Sequence, residues 1–260
     1  LGRIAKACVP AELARGIPAS RRAGAWPSPR HGRRMLVLEG CVQPAIAPAI
    51  DAALARVLDR VGVSLVRVPG GGCCGALPLH LNENDEAQAM ARANIDAWWP
   101  HVEAGAEAIV VTASGCGVLV KDYGHLLARD PAYAAKAARV AALARDTIEV
   151  VAPEWKKIAP LVALDQGAKR VAFHPPCSLQ HGMKIRGEVE EILRAIGHEV
   201  VPVADAHLCC GSAGTYSVLQ PELSGELKAN KLKALEAGRP DVSATANIGC
   251  MTHLASGTRR

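Results

Sequence analysis

The chain has 260 residues, enough for one large α/β domain or two small ones, and half of them are hydrophobic although aromatic residues make up only 3%. Such a core is built from Ala, Val and Leu, and the longest apolar run, 108–120, is interrupted by Thr112, Ser114 and Cys116 and falls short of the roughly 18 residues of a membrane span. The net charge of +5 owes much to an Arg- and Pro-rich opening stretch with Glu12 as its only acid, which has no basic-aromatic interleaving after it and so argues against a nucleic-acid partner.

That opening stretch, 1–33, reads as a solvated basic linker that packs poorly, with Cys8 an exposed thiol or an ordinary buried cysteine. It starts at Leu1 without an initiator methionine or a signal-peptide pattern, so secretion has no support and a preceding portion is expected. The apolar run 35–38 reads as a buried strand ending at Cys41, and 46–61 as a helix closed by Gly62. A second strand, 64–68, leads into Cys73-Cys74-Gly75, a helix follows over 83–99, and a third strand, 108–112, runs into Ser114-Gly115-Cys116. Residues 126–168, with Ala-rich helical patterns at 132–145 and 153–164, read as a helical connector.

Then the order recurs. A strand at 171–173 precedes Cys177, a helix at 188–196 closes at Gly197, and a strand at 199–203 runs into Cys209-Cys210-Gly211. A helix over 221–237 and a strand near 243–246 lead to Ile248-Gly249-Cys250. Cys41 and Cys177 are each followed 32 positions later by an adjacent pair, and a fourth cysteine comes 42 residues after the pair in one set and 40 in the other. Eight cysteines thus form two quartets displaced by 136 residues, the mark of a duplicated domain. The expected fold is two Rossmann-like β-α-β-α-β domains, 34–125 and 169–260, with parallel sheets and a pseudo-twofold relation.

In parallel sheets ligands gather beyond the carboxyl ends of the strands, where all the cysteines of each quartet fall. Cys41, Cys73, Cys74 and Cys116 should therefore converge on one centre, and Cys177, Cys209, Cys210 and Cys250 on another. Four thiolates suit zinc or an iron–sulfur cluster. Histidines near the second quartet, His174, His181, His207 and His253, outnumber His80 and His125 near the first, which makes the second the expected redox centre. His181 and His253 are the candidates for positions just outside the ligand set, with His253 also weighed as a fifth ligand. Lys121, Asp122 and Tyr123 read as a partner-facing surface or a solvated helix start.

The pattern Cys-x31-Cys-Cys-Gly, written twice, resembles the duplicated cysteine-rich CCG domain found in heterodisulfide reductases and in the iron–sulfur subunits of glycolate and lactate oxidases. Over 34–257, stretches such as Cys209-Cys210-Gly211-Ser212-Ala213-Gly214-Thr215-Tyr216 and Asn247-Ile248-Gly249-Cys250-Met251-Thr252-His253 are similar to the glycolate oxidase iron–sulfur subunits. The resemblance implies a 4Fe-4S electron-transfer subunit of a 2-hydroxy-acid oxidase, cytoplasmic and held at the inner membrane only through its complex. It also implies a flavoprotein partner that oxidises the substrate and a ferredoxin-like N-terminal portion, whose Cys-x2-Cys-x2-Cys-x3-Cys-Pro runs are absent from this sequence. The fullest family pattern ends each quartet with Cys-x-x-Cys, and here Leu119 and His253 stand at the last position. Zinc in one quartet, a thiol–disulfide reductase of the heterodisulfide type and a zinc-stabilised scaffold are the alternatives.

Overall fold

Consecutive apolar residues with no alternation need cover on both faces, and Arg33–Val37 supplies them: Met35, Leu36 and Val37 are all buried in strand β1 at the centre of a parallel sheet. The computed structural model describes residues 21–162 and 167–258. After β1 come α1 (Gln43–Ile46), α2 (Ala49–Asp59), β2 (Val63–Arg67), α3 (Ala76–His80), α4 (Asn84–Glu103) and β3 (Ala108–Val111). The chain continues through α5 (Ser114–Lys121), α6 (Tyr123–Leu126), α7 (Ala134–Leu143), β4 (Ala144–Asp146) and α8 (Thr147–Ile158). The strands lie in the order β2-β1-β3-β4, all parallel. One face is covered by Ala91, Ile95 and Trp98 of α4 with Ala137 and Val140 of α7. The other is covered by Leu54 and Leu58 of α2 with Val150 of α8.

The second half repeats the plan with less cover. Strand β5 (Arg170–His174) is central between β6 (Glu199–Val201) and β7 (Val242–Thr245), again all parallel. Around them lie a π-helical turn at Ser178–Gly182 and the helices α9 (Glu188–Ala195), α10 (Tyr216–Leu219), α11 (Pro221–Glu236) and α12 (Ile248–Ala255). The doubled β-α-β-α-β order and the α/β class expected from the sequence are both present.

Four local expectations change. The helix expected over 46–61 is broken at Ala47, because Pro48 has no N–H to continue the ladder and stands instead at the N-cap of α2. The helix expected over 132–145 ends at Leu143, and Ala144–Asp146 pairs with β3 as a fourth strand. The cause is a capping box: Asp146 accepts from the Ile148 N–H while Glu149 accepts from the Asp146 N–H, which holds Asp146 extended and starts α8 six residues before the expected Pro153. A π-helical turn follows Cys177, ahead of the expected helix. The described part of the opening stretch is also pinned: Trp26 Nε1 donates to the Leu65 carbonyl at 3.1 Å under the Arg67 guanidinium, and the Arg30 and His31 N–H groups both donate to Ser64 Oγ. Expectations for 1–20, including Cys8, lie outside the described residues.

The halves meet close to their cysteines. The Ser114 N–H donates to the Ala246 carbonyl at 3.2 Å, and Ser114 Oγ lies 2.8 Å from Ser178 Oγ, next to Cys177. Val118 of α5 packs against Gly182 so closely that a Cβ there would lie 2.7 Å from its methyl. Among the described residues no helix is long and apolar enough to cross a membrane.

Candidate metal centre

Every expected cysteine lies just past a strand end. Cys41 follows β1, Cys73 and Cys74 follow β2, and Cys116 sits in the first turn of α5 just after β3. Their thiols form an unbroken chain of contacts, Cys41 to Cys73, Cys73 to Cys74 and Cys74 to Cys116. In the second half Cys177 contacts Cys209, Cys209 contacts Cys210 and Cys210 contacts Cys250, in the same order. Glycine after each pair makes the turn. Gly75 at φ +90 and Gly211 at φ +88 adopt a conformation that side chains disfavour, and their N–H groups point at Cys73 Sγ (3.5 Å) and Cys209 Sγ (3.3 Å).

The protonation pattern shows how crowded these thiols are. In the first quartet the Cys41 thiol is raised chiefly by burial, Cys73 by its neighbour Cys74, and Cys74 is pushed up to about 12, chiefly by Cys116. In the second, the direction of the shift alternates along the chain. Cys209 is lowered because it accepts from Cys177 and Cys210, and Cys250 because it accepts from Cys210 and lies beside His174. Cys177 and Cys210, each next to such a thiolate, are raised. Thiols this close compete for the same protons, and a metal ion displaces those protons when it binds.

What surrounds the two chains of thiols differs. Gly75 approaches the Ala87 carbonyl and Gly211 the Ser224 carbonyl, so these helix positions correspond, and seven residues further on Asn94 corresponds to Lys231. Asn94, 1% exposed, accepts from the Gly72 N–H and donates to the Cys73 carbonyl and to Tyr123 Oη, while the Tyr123 hydroxyl donates to the Cys74 carbonyl. Lys231, 2% exposed, donates to the carbonyls of Asp205 and Ala206. Burial lowers its pKa, against the electrostatic pull of the second quartet and Asp205. The last residue of β5, His174, lies three residues before Cys177, at the place held in the first half by the buried Leu38.

His181 and His253 lie outside the thiol chain. His181 is exposed, with Nε2 against the His207 carbonyl at 3.1 Å. His253 Nε2 lies 3.2 Å from Ser224 Oγ, whose hydroxyl donates to the Gly211 carbonyl. Both therefore brace the loop that carries Cys209 and Cys210. His80, His125 and His207 are exposed. Tyr123, read with Lys121 and Asp122 as a partner-facing surface or a solvated helix start, is fully buried under the first quartet, and Lys121 pairs with Glu149 at 2.9 Å. Asn94 and Lys231 went unnoticed in the sequence, because a one-residue insertion between glycine and helix hides their equivalence.

The cysteine-rich domain model of the CCG family matches residues 35–121 and 171–255. The chain belongs to the CCG cysteine-rich domain family. The chain is 49% identical to the glycolate oxidase iron-sulfur subunit of Escherichia coli, over 100% of its length and 63% of that protein. It is 29% identical to a probable glycolate oxidase iron-sulfur subunit of Bacillus subtilis, over 88% of this chain and 50% of the relative, and 24% identical to lactate utilization protein A of an Exiguobacterium strain, over 82% and 85%. The chain thus spans 63% and 50% of the length of the first two relatives.

Proposed function

We propose that the two CCG repeats form the electron-transfer part of a 2-hydroxy-acid oxidase, most closely one acting on glycolate, with each quartet holding a metal centre and the second a 4Fe-4S cluster. The observation that carries this reading is the meeting of two four-thiol chains at corresponding strand ends, in a chain whose full length is similar to a glycolate oxidase iron–sulfur subunit. Substrate oxidation belongs on a separate flavoprotein subunit, and electrons leave toward quinone.

The residues fit such a group. Cys41, Cys73, Cys74 and Cys116 would hold one centre, and Cys177, Cys209, Cys210 and Cys250 the other; zinc in the first quartet is the alternative there. A bound iron–sulfur cluster supplies one-electron redox chemistry at this edge. The chain does the rest. The N–H groups of Gly75 and Gly211 donate toward sulfur and favour its anionic form, as do the amino ends of α5 and α12, which bear Cys116 and Cys250 in their first turns. Asn247 caps α12 and donates Nδ2–H to Cys250 Sγ at 3.7 Å, while also lying against Gly115 beside Cys116. Asn247 and the Ser114–Ser178 contact therefore support a side-by-side arrangement of the two quartets, as a relay needs.

Anaerobically purified protein should contain iron and acid-labile sulfide and give an electron paramagnetic resonance signal on reduction. Zinc alone in both quartets would establish the scaffold reading instead. In the assembled complex, Cys209→Ser should abolish quinone reduction while glycolate oxidation with an artificial flavin acceptor persists.

A further inference from the structure

His174 is 1% exposed, and among the described residues neither of its ring nitrogens has a nitrogen or oxygen hydrogen-bond partner. An unpaired buried polar group costs about 1–3 kcal/mol, and the partner within reach of this ring is the sulfur of Cys250. Four polar side chains nearby are paired, Gln180 with the Pro175 and Ala206 carbonyls, Lys231 with Asp205 and Ala206, His181 with His207, and His253 with Ser224, while the Thr245 hydroxyl, opposite His174 in β7, is buried and, like the ring, without a nitrogen or oxygen partner among the described residues. The ring faces the thiols. A nitrogen of His174 and the Sγ atoms of Cys210 and Cys250 all lie within 4.8 Å of one another, and all three residues are buried. Imidazole nitrogen is among the commonest protein ligands for zinc and iron.

We propose that His174 is a fifth protein ligand of the second centre, its ring nitrogen bound to the metal group held by Cys177, Cys209, Cys210 and Cys250. This rests on the proposed function, in which the second quartet holds an iron–sulfur cluster. Leu38 leaves the corresponding place in the first repeat without a donor, so the two centres differ in ligand set and not only in surroundings. Neutral imidazole adds a donor without the negative charge that a fifth cysteine would bring, and Lys231 lies on the same side, so the potential of the second centre is higher than it would be with a cysteine at 174.

The test uses the anaerobically purified chain, with natural or 15N-labelled histidine, and pulsed electron paramagnetic resonance of the reduced protein. The expected result is a nitrogen coupling of the size of directly bound imidazole, which changes with the label and disappears in His174→Leu. His174→Cys, which keeps a ligating atom, should retain the iron, lose the coupling and lower the potential of this centre. A coupling no larger than that of a hydrogen-bonded nitrogen, or one that survives in both variants, would overturn the assignment. Should His174→Leu fail to fold, the labelled wild type and His174→Cys decide the matter. If Cys209→Ser/Cys210→Ser protein keeps all its iron, the underlying reading fails and His174 with it; if it loses iron while the wild type shows no strong nitrogen coupling, only the His174 proposal fails.

Discussion

The two repeats share one backbone device and surround it with opposite chemistry. Around Cys73 and Cys74 lie neutral groups, Asn94, Tyr123 and Leu38, of which the two polar ones fix the loop through its own carbonyls and N–H groups. Around Cys209 and Cys210 lie a buried lysine and a buried histidine. Cover differs as well: the first sheet is packed on both faces by helices with buried stripes, whereas α9 of the second has no buried residue and β6 is three residues long. Strand ends and a glycine turn are enough to assemble four thiols, and what those thiols do is set by the side chains behind them.

The glycines should separate the repeats most sharply. A Cβ at Gly211 would stand 2.6 Å from the Ser224 carbonyl oxygen, against 3.0 Å from the Ala87 carbonyl oxygen for one at Gly75. Gly211→Ala should cost about 2–5 kcal/mol, combining a positive-φ penalty with a backbone clash, and Gly75→Ala about 1–3 kcal/mol. Denaturant titration of both variants would show this, and equal losses would remove the steric difference between the turns.

Next come the residues beneath each pair. Asn94→Leu strips partners from the Gly72 N–H, the Cys73 carbonyl and Tyr123, and should destabilise by about 2–4 kcal/mol. Lys231→Met removes a cation the fold has to desolvate, so stability should change little while the potential of the second centre falls. A redox titration in which the first centre moves instead would reverse the assignment of the charge to the second site.

Asp146 gives a pH test of the contact between the halves. Its carboxyl lines an apolar cleft of about 350 Å³ formed with Val189, Leu193 and Ile248, and burial raises its pKa to about 6. Below about pH 4 it is protonated folded or unfolded; between about 4 and 6 the unfolded chain releases the proton first, so stability falls as pH rises, and above 6 the cost is complete. Asp146→Asn keeps a good N-cap and should therefore be more stable than wild type by about 2–3 kcal/mol at pH 8, with no difference near pH 3.5. A thermal-melt difference independent of pH would show that the carboxylate is not the cause. The smallest effect belongs to Tyr123→Phe, about 1–2 kcal/mol, from the loss of two hydrogen bonds, one to the Cys74 carbonyl and one from Asn94.

The cysteine frame was legible because offsets along a chain survive whatever lies between them, and parallel β-α-β units turn equal offsets into equal positions. Side-chain environment was not legible in the same way. Lys231 looked like one more charge on a polar helix until the approach of Gly211 to Ser224 set its register against Asn94. Tyr123 followed a lysine and an aspartate and looked exposed, yet α5 turns it under the sheet edge. The Asp146-x-x-Glu149 capping box was written in the sequence and would have moved the start of α8 and revealed β4. Trp26, set among prolines and arginines, gave no periodicity to follow, and its anchoring on the Leu65 carbonyl is a long-range contact.

Iron counting on three proteins tests the central claim most directly: wild type, Cys73→Ser/Cys74→Ser and Cys209→Ser/Cys210→Ser, each purified anaerobically. The account predicts that loss of the second pair removes the reducible iron–sulfur signal and its share of the iron while the first centre stays loaded. Iron content and signal unchanged by loss of Cys209 and Cys210 would contradict it.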